Sequence, residues 1–591
     1  MTQNRERLRL STSFGYRALR TEGHPPVKRL NLLPGNPRKM HRSSMNKLLA
    51  CLFAGLMLAG SPLAVLAQEA VSIGGVQATR VVIAPPQTEL SRIIKTGLSA
   101  SYYGGSTDTQ ARTEARKLYF FYGARAFEPI WLSASADGHT QFSPAADKIL
   151  AIFKDAEKEG FRPSDYLTPE LDLSAAGTDP AKLAAVETAF SAATMRYAQH
   201  LFSGRIRPQA VSGQFDIKAR RIDPSQMLVK LASSDRPDQV LGELEPKHRE
   251  FVALKAALAR FYDGAAQAQV TIPDGGVLKP GMKDNRVPLL RSRLDLPANV
   301  DGDLTYDVEL VAAVMKFQDS MGLTADGVAG PATVAALNGR SATSKDDIVA
   351  NMERWRWMPE DLGTFNVFVN LPEFRLAIMR NDEVAYTTRV VIGKPENQTP
   401  IFSDRIRHIV VNPYWNVPSS IAQNEIGPRL LSNPGYIANQ NMELLYGSQV
   451  VNASMVDWSR TSIDNFKIRQ RPGASNALGK VKFLFPNSHD VYLHDTPSKS
   501  LFERSMRAYS HGCVRVQNPM EFADALLQLE PSLTAAKLEG QYGPTESWNN
   551  LKTPVPVHLA YFTLRVDADG TIRSYGDVYG HNAALIKLLN K

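Results

Sequence analysis

The sequence predicts an α+β protein: a helical N-terminal region, a small three-helix unit, and a mainly β C-terminal domain carrying a long insertion. Three observations predict it. Apolar residues recur at three- and four-residue spacing between positions 111 and 268, and alternating, β-branched stretches take over from about 350. Between the two lies a compact unit at 277–340, set off by the turn residues Pro273–Gly276. At 591 residues the chain exceeds what one hydrophobic core holds, and its 43% hydrophobic and 21% charged composition is that of a folded protein.

The chain opens with a leader. Residues 1–67 hold eleven Lys/Arg and two acids, which is the whole net charge of +9, and the remainder balances at 57 basic against 57 acidic side chains. The basic bulk charge therefore gives no reason to expect a nucleic-acid partner. Lys47 precedes the apolar run Leu48–Gly60, and Val65-Leu66-Ala67 supplies small residues for cleavage, so 45–67 reads as a signal peptide, with Met45 favoured as the start over Met1 or Met40. The alternative is a retained anchor helix. The run is shorter than the ~20 residues that cross a bilayer, and no later stretch approaches that length, so no stable span is expected after cleavage. Cleavage after Ala67 removes Cys51 and leaves Cys513 as a lone thiol in an exported chain. Free cysteines are commonly buried and inert, so its neighbours decide what it does.

Residues 68–110, rich in small and polar side chains, read as a linker. The helical region follows over 111–268, with Ala145–Phe161, Pro180–Phe202 and Arg249–Ala268 as its clearest segments. His139, His200 and His248 are scattered there and read as ordinary structural residues. In the small unit Leu310, Val314, Phe317 and Met321 fall at helical spacing, followed by the turn cluster Ala325–Pro331 and a short helix, Ala332–Leu337. From 350 to 580, strands are expected at Phe365–Leu371, Thr388–Ile392, Ile406–Asn412, Val481–Phe485, Val491–His494 and Val555–Val566. The insertion at 421–480 is too long for a structureless loop and reads as a lid.

The chemistry concentrates in Tyr509-Ser510-His511-Gly512-Cys513-Val514-Arg515-Val516-Gln517-Asn518-Pro519. Asn518 as N-cap, Pro519 at the first helical position and Glu521 predict a helix start, with Phe522, Leu526 and Leu529 as its apolar face. A thiol near a helix N-terminus and near imidazole or guanidinium is expected to have a depressed pKa. Gly512 permits close backbone approach, and the N–H groups of Gly512 and Cys513 are candidate oxyanion donors. Upstream, Asp490-Val491-Tyr492-Leu493-His494-Asp495 alternates, which puts Tyr492 and His494 on one face of a strand and Val491 and Leu493 on the other. His494 is then the candidate base for Cys513.

Together these segments resemble the L,D-transpeptidase catalytic domain, whose signature is a His-Gly/Asp-Thr step followed by Ser-His-Gly-Cys-Val/Ile-Arg. The arrangement is similar to the large, multi-domain periplasmic branch of that family, and the resemblance covers roughly 110–580. It includes Arg354-Trp355-Arg356-Trp357-Met358-Pro359 and Asn412-Pro413-Tyr414-Trp415-Asn416-Val417-Pro418. The unit at 277–340 resembles a three-helix peptidoglycan-binding module through Leu278-Lys279-Pro280-Gly281, Phe317-Gln318, Gly322-Leu323 and Asp326-Gly327-Val328 with Gly330-Pro331-Ala332-Thr333. The resemblance implies a periplasmic enzyme acting on peptidoglycan stem peptides and glycan, with a helical scaffold over 111–268, and no cofactor or metal. It implies a thioester on Cys513, formed at the third-position diamino-acid of a tetrapeptide stem with release of D-alanine and resolved by a side-chain amine of a second stem. His494 would handle protons, oriented by the backbone carbonyl of Asp495. That position departs from the Gly or Ser of smaller members, a change expected to be tolerated. Arg515 is the candidate for the substrate carboxylate and Ser510 for a supporting hydrogen bond. His511, Tyr492 and Trp415 are the candidates for lining the pocket. Water, or the terminal lysine of a lipoprotein, is the alternative acceptor. A zinc site built on His494, His511 and Cys513 fits the ligand types but has poor spacing, and a catalytically silent wall-binding protein is opposed by the retention of Cys513 with His494.

Overall fold

The computed structural model describes residues 68–591, apart from 74–75, 105–108, 263–270, 274, 295, 300–301, 321–322, 340–343, 531 and 568–569. The expected leader and signal peptide lie outside these residues, as does Met321. Among the described residues no helix is long and apolar enough to cross a membrane.

Gln68–Ile73 (β1) and Val76–Val81 (β2) form an antiparallel hairpin. The helix Glu89–Tyr103 begins at Thr88, whose hydroxyl accepts the Ser91 N–H while the Ser91 hydroxyl accepts the Thr88 N–H. Its Ile94 and Leu98, four residues apart, bury one stripe against Thr109–Gly123 and Pro180–Ser203. The stretch 68–110 is thus a hairpin followed by a core helix, where a linker was the expectation. The strands Leu132–Ala134 (β3) and Thr140–Phe142 (β4) pair before the helix Pro144–Lys154, and the core between these elements centres on Trp131, Phe153, Phe190 and Tyr197.

The small unit packs Val287–Arg293, Val308–Ser320 and Pro331–Gly339 around Leu290, Leu310, Val314 and Leu337. The turn cluster is held by Gln318. Its amide nitrogen donates to Asp326 Oδ1 (2.8 Å) and the Val328 carbonyl (2.9 Å), and its oxygen accepts the Gly327 N–H (2.8 Å). Gly327 sits at φ +70°, which explains the glycine there.

The C-terminal domain is built on Phe365–Asn370 (β5), Arg375–Arg380 (β6), Glu383–Gly393 (β7) and Phe402–Val411 (β8), then on Val481–Leu484 and later strands after the insertion. The insertion contributes Trp415–Asn416 (β9), Met442–Tyr446 (β10), Gln449–Val451 (β11) and Lys467–Gln470 (β12). Those four form their own antiparallel sheet in the order β11-β10-β12-β9, over a private core that includes Leu430, Ile437, Leu444 and Ile468. Residues 421–480 are therefore part of a folded subdomain that begins at β9. The chain returns through Val481–Leu484 (β13), Leu493–His494 (β14), Ala508–Ser510 (β15), Val514–Val516 (β16) and Ser547–Ala560 (β17), and closes with the hairpin Leu564–Val566 (β18) and Ile572–Ser574 (β19). The main sheet runs β15-β7-β16-β14-β13-β8-β17-β5-β6, and β6 also pairs with β7, so the sheet closes on itself. The helix Arg249–Tyr262 and the buried helix Lys345–Trp357 belong to the same core as this sheet: Phe251, Leu254, Leu258 and Trp355 cluster with Phe368 and Phe562. The last helix of the helical region thus joins the hydrophobic core of the β domain, while the earlier helices keep a core of their own.

Candidate active site

Val491 and Leu493 are buried in the main core, as the alternation predicts. The preceding turn is built by Asn487, whose side chain donates to the carbonyls of Phe485 (2.6 Å) and Val491 (2.8 Å) and accepts the N–H groups of His489 and Val491. It leaves Asp490 at φ +52°, a conformation that asparagine and aspartate tolerate best among non-glycine residues. β14 then runs parallel to β16, with Leu493 opposite Val514 and His494 opposite Arg515, and the Val514 N–H donates to the Tyr492 carbonyl (3.1 Å). Val514 and Val516 face the core with Leu493. By alternation Cys513, Arg515, Tyr492 and His494 share the opposite face.

The sulfur of Cys513 lies 3.8 Å from the Asp490 carbonyl, to which the thiol donates, and Tyr492 is its other polar neighbour. Cys513 is half-buried. Burial pushes its thiol up to about 11, against the opposing pull of the Tyr492 donors and the Arg515 charge. This corrects the expected depression. The helix Pro519–Leu526 is separated from Cys513 in the chain by the strand β16, so Cys513 lies outside its first turn, where a helix dipole acts most strongly. Asn518 occupies the N-cap position, but its side chain donates to Glu521 (2.9 Å) instead of capping a backbone N–H.

His494 is 4% exposed, and its Nδ1 lies 2.5 Å from the Asp495 carbonyl. A carbonyl only accepts, so Nδ1 carries the hydrogen, and in the neutral ring Nε2 is a free base. Burial, followed by the Arg515 charge, brings the imidazole down to about 3, so it is neutral across the physiological range. The Asp495 side chain has its own task. Its carboxylate accepts the Lys480 N–H (2.9 Å) and the Lys499 ammonium (2.7 Å), and Lys499 also reaches the Gln517 carbonyl (2.9 Å). Gly479 packs so closely that a Cβ there would collide with the carboxylate.

The turn that presents Cys513 is closed by Ser510, which donates to the Cys513 carbonyl (2.5 Å) and accepts the Gly512 N–H (3.2 Å). Gly512 takes φ +112°, which requires glycine. Its N–H is already used by Ser510, so of the two expected oxyanion donors only the Cys513 N–H has no acceptor among the described residues. The Gly512 carbonyl accepts the Thr399 hydroxyl (2.8 Å). Thr399 is fixed in turn by the Gly393 N–H (2.9 Å) and by Tyr579, whose hydroxyl accepts the Thr399 N–H (3.2 Å) and donates to the Gly393 carbonyl (2.6 Å). Arg515 is half-buried, and its Nε has no hydrogen-bond partner among the described residues.

The two other expected pocket residues are tied to the insertion. The imidazole of His511 meets Glu425 of the insertion, with Nε2 2.7 Å from Oε1. Trp415 pairs with Gln470 in the insertion sheet. Among the described residues no three of His, Cys, Asp and Glu converge as a metal site. The residues that sequence reasoning missed are Asn487, Asp490, Thr399, Tyr579, Glu425 and the Gly479–Lys480 pair. Only the turn-forming Asn-Ser-His-Asp run at 487–490 carried a local signal.

Three family descriptions match this chain. Residues 116–258 match a scaffold domain, 290–337 a "Putative peptidoglycan binding domain", and 365–557 the L,D-transpeptidase catalytic domain. A "Putative L,D-transpeptidase" of Haemophilus influenzae is 32% identical over 260 residues, covering 42% of this chain and 52% of its own, so the chain spans about half the length of that relative. A solved L,D-transpeptidase from Xylanimonas cellulosilytica covers 49% of this chain and 98% of its own at 18% identity and a TM-score of 0.18. One from Stackebrandtia nassauensis covers 50% and 97% at 15% identity and a TM-score of 0.20. Residues 365–557 thus match the L,D-transpeptidase catalytic domain and follow stretches that match a scaffold domain and a peptidoglycan-binding domain.

Proposed function

We propose that the protein is a cell-envelope enzyme that cross-links peptidoglycan stems through a thioester on Cys513. The observation that carries this reading is the pairing of β14 with β16, which brings His494 and the turn bearing Cys513 onto adjacent strands, with the imidazole's tautomer fixed by the Asp495 carbonyl. The resting pair is neutral, thiol and imidazole, because burial disfavours both charged forms. The thiol proton therefore passes to His494 Nε2 as the sulfur attacks the carbonyl carbon of the third stem residue. The oxyanion forms near the Cys513 N–H. Collapse breaks the C–N bond to D-alanine, whose nitrogen takes the proton from Nε2. A side-chain amine of a second stem then attacks the thioester, loses a proton to His494, and returns the thiol. Arg515, with its unpartnered Nε, suits the carboxylate of the bound stem. The insertion, clasped to the nucleophile's turn by Glu425 and His511, suits a lid that limits water. An export signal at 45–67 and periplasmic residence complete the proposal.

The test is mass spectrometry of disaccharide-tetrapeptide incubated with the chain from Gln68, beside Cys513→Ala and His494→Ala. Dimers lacking one D-alanine, absent from both variants, are expected. Tripeptide without dimers makes water or a protein lysine the acceptor, and the activity a carboxypeptidase or a lipoprotein attachment. Dimers persisting in Cys513→Ala overturn the mechanism.

A further inference from the structure

The chemistry proposed above uses Arg515 and leaves a second group of guanidiniums without a task. Arg375 and Arg389 are direct cross-strand partners in β6 and β7, and Arg507 lies just ahead of β15. Alternation places the first two on the nucleophile's face of the sheet. Val391 stands opposite Arg515 and Arg389 opposite Arg375, while Leu376, Val390 and Val516 take the core side.

Like charges directly opposite in a sheet repel. Arg507 adds a third, and it is 4% exposed. Its guanidinium lies over the Phe374 ring, 5.2 Å from the centroid, and Nη1 donates to the Arg504 carbonyl (2.8 Å), but its Nε is buried with no hydrogen-bond partner among the described residues. Burial first, then the charges of Arg389 and Arg375, lower this guanidinium to about 10. Three such groups are costly to hold together unless an anion sits among them.

In this structure the anion is Asp319, near the end of the helix Val308–Ser320 of the small unit. Its two oxygens each lie 3.5 Å from an Nη2, Oδ1 from that of Arg389 and Oδ2 from that of Arg375. Glu503 adds a contact of 3.5 Å to Arg389 Nη1. These are loose ion pairs rather than the short bidentate bonds of a fully seated carboxylate, and the Asp319 side chain remains 54% exposed. A carboxylate so held on the rim leaves the buried Nε of Arg507 unanswered.

We propose that Arg375, Arg389 and Arg507 form a carboxylate-binding subsite for a peptidoglycan stem peptide, with Asp319 of the small unit as its displaceable internal stand-in. The identity of the ligand rests on the function proposed above; the anion site itself does not. Stem peptides carry free carboxylates, and a subsite on the nucleophile's face lets one of them grip the enzyme apart from the scissile bond. Displacing Asp319 also releases one fastening between the small unit and the catalytic sheet, so ligand binding and domain docking oppose each other.

The test is calorimetric titration of the full chain in a Cys513→Ala background, which prevents turnover, with disaccharide-tetrapeptide. Asp319→Ala is expected to tighten binding about fivefold by removing the competitor. Arg375→Gln with Arg389→Gln is expected to weaken it about tenfold and to abolish the gain from Asp319→Ala. A stem with its carboxylates amidated is expected to ignore Asp319→Ala. Unchanged or weaker stem binding in Asp319→Ala, or unchanged binding in the arginine pair, overturns the subsite. A second titration uses glutarate, a dicarboxylate with no peptidoglycan character. A glutarate response of the same signs without any stem response keeps the anion site and removes the peptidoglycan ligand, whereas no response to either probe removes both. Melting temperatures of each variant, together with the iodoacetamide labelling rate of Cys513 in the cysteine-containing counterparts, separate a local effect from a folding defect.

Discussion

His494, on the strand beside β16, and His511, in the turn before Cys513, are held by opposite means. His494 lies in the closed main sheet, 4% exposed, its ring fixed by a backbone carbonyl one residue away. His511 projects toward the insertion, and its contact to Glu425 is made between side-chain tips that are 31% and 44% exposed. A backbone acceptor beside a paired strand cannot drift without disturbing strand pairing, whereas a contact between half-exposed side chains forms and breaks at little cost. The sheet thus fixes His494, and the contact at the rim leaves His511 and the insertion free to part.

Four experiments break or sharpen this contrast. His494→Ala should lower D-alanine release about 10³-fold, the usual range for removing a positioned general base, with the fold retained. A loss below tenfold would mean that the sheet-borne imidazole is not the base. Next, a thiol raised to about 11 gains thiolate throughout the alkaline range, so iodoacetamide labelling of free Cys513 should climb about a hundredfold from pH 7 to pH 9. A plateau near neutrality would show an ion pair where the structure has neutral partners. Third, Asp495→Ala strands the Lys480 N–H and the Lys499 ammonium, for about 1–3 kcal/mol of stability by urea unfolding. Its turnover should fall less than in His494→Ala, because the orienting carbonyl survives. Equal losses would assign the side chain a share in the chemistry. Last, His511→Ala should cost under about 1 kcal/mol, since exposed pairs contribute little, yet speed proteolysis of 421–480. Unchanged cleavage would show that the clasp does not hold the insertion.

What the sequence disclosed follows the same division. The alternation at 491–494 predicts which face His494 takes, because one side of the strand must be apolar, and the structure agrees. The helices beginning at Pro180 and Arg249 and the strands at Phe365, Ile406 and Val481 were legible from periodicity for the same reason. The thiol's raised pKa was not, because desolvation depends on what packs around β16 and leaves no mark on neighbouring residues. Helix Glu89–Tyr103 was hidden by its small and polar residues, and only the spacing of Ile94 and Leu98 betrays its buried stripe. The Gly512 N–H looked available until the Ser510 hydroxyl was found on it. Asp319 and the arginines it meets are distant in sequence, and each alone reads as a solvated charge.

The chain of contacts from Gly512 through Thr399 to Tyr579 has a consequence for when the turn is complete. The turn that aims the sulfur is braced by a tyrosine from the far end of the chain, which leaves the ribosome after the cysteine does. A chain made only as far as Cys513 therefore holds its sulfur in a turn without the brace, and the turn takes its final form only after residue 579 has emerged and packed against Thr399.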